Sequence, residues 1–238
     1  VSSSKANPRR PVTRARARRA DPLNPRLMGT RLDKLDSAGK DERAQALREL
    51  GAGKKRGHWI WFVFPTLAAR GGDMFSAMQV RDAGGADLQD VAEAEAYAKH
   101  PALRASLIDA FQTLDKAMVT HKMQAPWAVL DAGFGRSADG AWIRGPVDSF
   151  KVWACATLFA TVAHRGGDEE LRAAAVGALD KFTGDVVYTA GGPGSSGHIE
   201  GAGASMQRNV LKGPDKETLR ILGEKNWEAV AHGRKVEL

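Results

Sequence analysis

The chain has 238 residues, with 35 Lys plus Arg against 28 Asp plus Glu, one Cys and 43% apolar residues. That apolar share is enough to bury a core, so the chain is not wholly disordered. The lone Cys155 excludes an internal disulfide framework and a four-cysteine zinc site. No apolar run approaches the roughly 18 residues needed to cross a bilayer.

The charge is unevenly placed. Residues 1–20 carry Lys5, Arg9, Arg10, Arg14, Arg16, Arg18 and Arg19 and no acid, which accounts for the whole net charge of +7. The other 28 basic residues are matched by the 28 acidic ones. Arginines so close together repel one another and have little apolar area to bury, so residues 1–39 are expected to be an extended arm and linker. Arg suits phosphate because its planar fork donates two parallel hydrogen bonds, and each phosphate it neutralises releases counterions. These seven residues are the candidate RNA contacts. The arm lacks the Leu, Phe or Trp that would anchor it in a membrane interface. An Arg-rich, acid-free start also resembles an organelle presequence, and a chain beginning at Val1 is expected to have lost something upstream.

Residues 21–36, with Pro22 and Pro25, read as extended. Helix signals begin in 41–50, where acids precede strong helix formers and Gly51 and Gly53 follow. Residues 87–99 read as a helix capped by Asp87. Pro101 opens a helix on which Leu103, Leu107, Phe111, Leu114 and Met118 form one apolar stripe. A short helix at 126–132 ends at Gly133. Pro146 opens a helix to about His164 whose only charges up to Ala163 are Asp148 and Lys151, so it should be central and buried nearly all round. Asp168 caps the next helix, which turns Leu171, Ala175, Ala178 and Phe182 inward. Pro214 opens a last helix with Leu219 and Leu222 facing in and Gly223 closing it. A short helical tail follows through Trp227. The expectation is an all-α domain at 40–230 of six or seven helices, with a Gly-rich loop at 186–213 and a tail at 231–238.

Residues 54–65, KKRGHWIWFVFP, place His58, Trp59, Trp61, Phe62 and Phe64 after three basic residues and Gly57. Cations beside aromatics can cradle a nucleotide by stacking and phosphate contact. They can also be a dense core segment with its cations solvated at the mouth. The candidate ligand pocket comprises Lys54, Arg56, His58, Trp59, Trp61, Asp148 and Lys151.

This stretch resembles the signature G-x-K-x-x-H-W-x-W-F-x-F-P of the family known as domain of unknown function 1810, mislabelled calpastatin in some bacterial genomes. Further pieces follow in the same order. Tyr97, His100, Pro101 and Leu103 resemble Y-x-x-H-P-x-L, and Phe134 and Gly135 resemble F-G. Asp148, Lys151, Thr157, Leu158 and Phe159 resemble D-x-x-K-x-x-x-x-x-T-L-F, and Thr218, Leu219, Leu222 and Gly223 resemble T-L-x-x-L-G. The likeness spans about 41–225 and implies a compact multihelical fold without an established activity. Ala154 and Cys155 stand where the family has paired serines, the tyrosine after the box is missing, and 136–147 and 186–213 are extra.

No catalytic constellation assembles from spacing. Gly192, Gly194 and Gly197 spell G-x-G-x-x-G, but no helix-forming run follows and no parallel sheet is evident, so they read as loop. His58, His100, His121, His164, His198 and His232 lack metal-site spacing, and no metal or cofactor is expected. His100 reads as a helix cap. Cys155, on an apolar helix, reads as an inert core thiol. The composite expectation is a non-catalytic accessory subunit of a large organellar assembly. A mitochondrial ribosome is favoured over a plastid host, with RNA and neighbouring subunits as partners. The alternatives are a soluble enzyme or small-ligand protein built on the box, and a protein–protein subunit of a respiratory or photosynthetic complex.

Overall fold

In the computed structural model, residues 25–70, 86–123, 125–131, 147–182 and 213–233 are described. They form α1 (Pro25–Ala38), α2 (Lys40–Gly51), α3 (Ile60–Val63), α4 (Val91–Lys99), α5 (Pro101–Thr120), α6 (Trp127–Leu130), α7 (Val147–Gly166), α8 (Glu169–Asp180), α9 (Lys216–Leu222) and α10 (Trp227–His232). No strand occurs among them, and a lone bridge pairs Leu67 with Leu88. The fold is all-α. No helix among the described residues is long and apolar enough to cross a membrane.

α7 is the central post. Every residue from Ser149 to Ala163 is buried. A helix apolar all round needs neighbours on all sides, and α4, α6, α8, α9 and α10 supply them. Its two buried threonines satisfy their hydroxyls within the helix: Thr157 donates to the Trp153 carbonyl and Thr161 to that of Thr157, both at 3.0 Å. α5 lies across α2 and α8 and buries the expected stripe from Leu103 to Met118.

The caps follow local chemistry. His100 Nδ1 accepts from the Leu103 N–H at 3.4 Å, and Pro101 occupies the first turn of α5. Asp168 accepts from the Leu171 N–H at 3.1 Å. α4 begins at Asp90 rather than Asp87. Asp90 accepts from the Glu93 N–H at 2.8 Å while Glu93 accepts from the Gln89 N–H at 2.6 Å, a reciprocal arrangement that Asp87 lacks the spacing to make. Asp215, not Pro214, caps α9, and Leu219 is only half-buried while Thr218 faces in.

Residues 25–38 differ from the extended linker expected there. Pro25 is the first residue of α1, where its missing N–H costs nothing. Met28, Leu32 and Leu35 then recur at helical spacing, and the two leucines are buried. Arg31 ties α1 to α4 through the Glu93 carboxylate and the Asp87 carbonyl. His100 Nε2 donates to Asp33 at 3.2 Å. The body therefore starts about fifteen residues before the expected boundary at 40.

The arm residues Lys5, Arg9, Arg10, Arg14, Arg16, Arg18 and Arg19, the loop at 186–212 with its glycine triplet, and Gly133, Phe134, Gly135 and Pro146 lie outside the described residues.

Candidate functional site

The aromatic box is built around a carboxylate. Gly53 (φ +70°) ends the α2 turn, a conformation suited to glycine, and a Cβ there would lie 2.6 Å from His121 Cδ2. The chain then wraps Glu49. The Glu49 carboxylate accepts the backbone N–H groups of Arg56 at 2.6 Å and Gly57 at 2.8 Å, the Trp59 indole N–H at 2.7 Å and the Gln45 amide at 2.7 Å. Burial alone would raise its pKa. The hydrogen bonds from Gly57, Arg56, Gln45 and Trp59 outweigh that and hold it down at about 2.

This wrapping splits the candidate pocket by alternation. Lys54, Arg56 and His58 are exposed. Lys55, between them, turns inward, its side chain 8% exposed. Its N–H donates to the Val129 carbonyl at 2.8 Å. Its ammonium donates to the Gly57 carbonyl at 2.6 Å, reaches the Asp148 carboxylate at 2.7 Å, and sits 5.1 Å from the centre of the Trp59 ring.

The opposite wall is the start of α7. Asp131, following α6, accepts the N–H groups of Asp148 and Ser149 at 3.1 Å each and also the Ser149 hydroxyl. It satisfies donors that the first turn of α7 cannot pair internally. Burial raises the Asp131 carboxyl to about 6, with Ser149 pulling it down and the Asp148 charge pushing it up. One turn on, Lys151 is buried with its ammonium 3.8 Å from Asp148 and 2.9 Å from the centre of the Trp61 ring. Burial lowers its pKa to about 8 against the pull of Asp148, with Lys55 lowering it further.

The structure thus brings Trp59, Trp61, Asp148 and Lys151 together and leaves Lys54, Arg56 and His58 outside. Among the described residues, His58 makes no hydrogen bond or ion pair with Asp148 or Lys151. Lys55, Asp131, Ser149 and Glu49 join without having been singled out. Lys55 carried a signal, being the lysine of the G-x-K-x-x-H-W pattern. The other three carried none.

Trp59 and Phe64, each 1% exposed, fill the box from within, and Phe64 packs on Phe111 with ring centres 5.3 Å apart. A cleft beside it, lined by Leu35, Arg43, Trp61, Phe62, Pro65 and Tyr97 among others, has room for about one water molecule. Cys155 is fully buried, and burial pushes its thiol well up, as expected for an inert core thiol.

The sequence profile of the family described as Protein of unknown function (DUF1810) matches residues 29–185. The chain belongs to this family. The DUF1810 match begins inside α1 and ends just after α8, so α9 and α10 lie beyond it. The three charged residues that meet at Asp148 all come from the DUF1810-like patterns: Lys55 from the box, Asp148 and Lys151 from D-x-x-K. The crystal structure of the conserved hypothetical protein Rv1873 from Mycobacterium tuberculosis is 27% identical and covers 61% of this chain and 84% of its own, with a TM-score of 0.40. No curated protein matches the chain.

Proposed function

We propose that this DUF1810 protein is a non-catalytic accessory subunit of an RNA-containing assembly, with the arginine arm as its RNA anchor. An organellar, mitochondrial ribosome is the host we favour. One observation carries the reading: the entire net charge of +7 resides in residues 1–20, on a body that is otherwise neutral. The body's buried cations are consumed internally, Arg43 by Asp36, Lys55 and Lys151 by Asp148, and Arg172 by Glu169. Such a body suits docking, while the arm supplies salt-sensitive attraction to phosphate.

The test is sedimentation of native extract on gradients at low and high salt, with and without RNase. Co-migration with ribosomal particles that weakens after RNase, or after deletion of residues 1–20, supports the reading. Migration as a free protein near its own mass of 25.5 kDa overturns it.

A second reading is a small-ligand site at Lys151. The observation in its favour is a buried lysine held at about 8 on an indole face beside a carboxylate. About one such amine in ten is neutral at pH 7. Reductive trapping with an aldehyde probe and borohydride, followed by peptide mapping, checks it. Labelling of Lys151 ahead of the surface lysines supports this reading, and labelling confined to surface lysines removes it.

A further inference from the structure

The cations that the box turns outward do not stand alone. α2 and α5 end side by side, the His121 Nε2–H donating to the Gly51 carbonyl at 2.9 Å. The loop that follows α2 is fixed to α6 by the Lys55 N–H on the Val129 carbonyl at 2.8 Å. This end of the body carries Arg48 in the last turn of α2, Lys54 and Arg56 in the loop, Lys116 in the last turns of α5, and Lys122 just past its end. All five are exposed, and none of their side chains makes an ion pair or hydrogen bond among the described residues. Elsewhere in the body Arg31, Arg43, Arg104, Arg165, Arg172, Lys181 and Arg220 each hold a carboxylate, while Lys40, Lys99, Lys216 and Lys225 are exposed without such a partner among the described residues.

Cations at helix C-termini compensate the helix dipole, so part of this cluster is structural. Each terminus is worth roughly half a negative charge. Two termini offset about one cation, and the Glu49 carboxylate offsets one more. About three of the five positive charges are then left over. Lys181 beside Asp115 adds nothing, since that pair is closed at 2.8 Å. The surplus faces solvent on exposed, flexible side chains spread over two helix ends and a loop, which suits a chain of phosphates rather than one small anion. The exposed rings of His58 and His121 and the half-exposed Trp127 lie on the same loop, helix end and α6, and offer flat faces to unpaired bases.

We propose that the joint C-terminal end of α2 and α5, through Arg48, Lys54, Arg56, Lys116 and Lys122, is a second phosphate-backbone contact for single-stranded RNA, separate from the arm. The proposal rests on the RNA reading above but not on the arm being its anchor.

The test is fluorescence anisotropy of a labelled oligouridine with the full chain over a series of NaCl concentrations. Four proteins are compared: the natural chain, a patch variant (K54Q, R56Q and K122Q), an arm variant with Arg9, Arg10, Arg14, Arg16, Arg18 and Arg19 changed to Gln, and the two combined. Each phosphate contact to a single strand contributes about 0.7 to the slope of log affinity against log salt. The patch substitutions should therefore reduce the slope by about 2, in the natural and the arm-neutral background alike. An unchanged slope in both backgrounds overturns the patch. If the arm variant binds as the natural chain does while the patch variant loses slope, the arm reading fails and the patch stands. Binding of the patch to phosphatidylserine vesicles with no effect on oligouridine overturns the RNA assignment. The substituted side chains are exposed and make no ion pair or hydrogen bond among the described residues, so melting temperatures should fall by no more than the loss of surface dipole compensation. A second patch variant, R48E with K116E, must lose slope as well, and its failure to do so counts against the proposal.

Discussion

The Glu49 carboxylate accepts the indole N–H of Trp59 at 2.7 Å, and this bond anchors the aromatic box to α2. The same carboxylate also holds two backbone N–H groups of the intervening loop. Glu49→Ala leaves those donors without a partner and should cost about 2 kcal/mol, measured by urea denaturation. The pH dependence has a definite sign. The folded pKa of about 2 lies below the ordinary 4.5. The contribution is therefore complete above pH 4.5 and is lost as pH falls toward 2. Acid melting curves should be steeper for the natural chain than for Glu49→Gln. Equal slopes would remove Glu49 from that role.

Asp148 is shared by two lysines whose side chains are 8% and 3% exposed. Removing the shared partner and removing one sharer should therefore differ. Asp148→Ala leaves two poorly solvated ammoniums facing each other and should cost about 3 kcal/mol. Lys151→Met removes the buried ammonium, leaves Asp148 paired with Lys55, and should stay within about 1 kcal/mol of the natural chain. The folded pKa of Lys151, about 8, lies below its ordinary 10.5. The unfolded chain binds more protons in that window, so stability should rise with pH from 8 to 10.5 in the natural chain and not in Lys151→Met. Equal costs for the two substitutions would contradict the shared-partner geometry.

Asp131 titrates in the opposite sense to Glu49. Its folded pKa of about 6 lies above the ordinary 3.8. The folded state binds more protons between those values, so this group makes stability fall as pH rises from 3.8 to 6. Asp131→Asn keeps an oxygen for the first turn of α7 and removes the charge. Its stability should run flatter than that of the natural chain across pH 4–6. An unchanged profile would mean that Asp131 is ionised throughout.

What the sequence disclosed, and what it withheld, follows the range of each interaction. The stripe on α5, the all-round burial of α7 and the caps at His100 and Asp168 are set by neighbours within one or two turns, and a linear pattern displays them. The ten α-helices among the described residues exceed the six or seven expected, chiefly because α1 and α3 were not anticipated, and α3 has four residues, too few to show a period. α1 was obscured because two prolines read as extended chain until one of them proves to be the first residue of a helix. The pocket was half legible. The box named Trp59 and Trp61, and the apolar helix named Asp148 and Lys151. Which of the consecutive Lys54, Lys55 and Arg56 turns inward depends on Glu49 and Val129, which gather the loop from other elements.

α10 lies beyond the family match. Arg172 of α8 reaches across to its final turn, donating to the carbonyls of Val230 at 2.8 Å and Ala231 at 2.7 Å while Glu169 holds the same guanidinium. A helix end exposes carbonyls without internal partners, and a fixed cation there satisfies both the hydrogen bonds and the dipole. Arg165 serves α9 likewise, donating to the Leu222 carbonyl at 3.0 Å. α10 is six residues long, too short to persist unaided. Arg172→Ala should therefore release it locally, at a cost of about 2 kcal/mol. Amide hydrogen exchange should speed up in 227–233 while 103–118 on α5 keep their protection. Arg172→Lys should rescue little, since one ammonium cannot reproduce the fork that spans two carbonyls and a carboxylate. Equal loss of protection in α5 would show that Arg172 supports the whole core rather than this one helix.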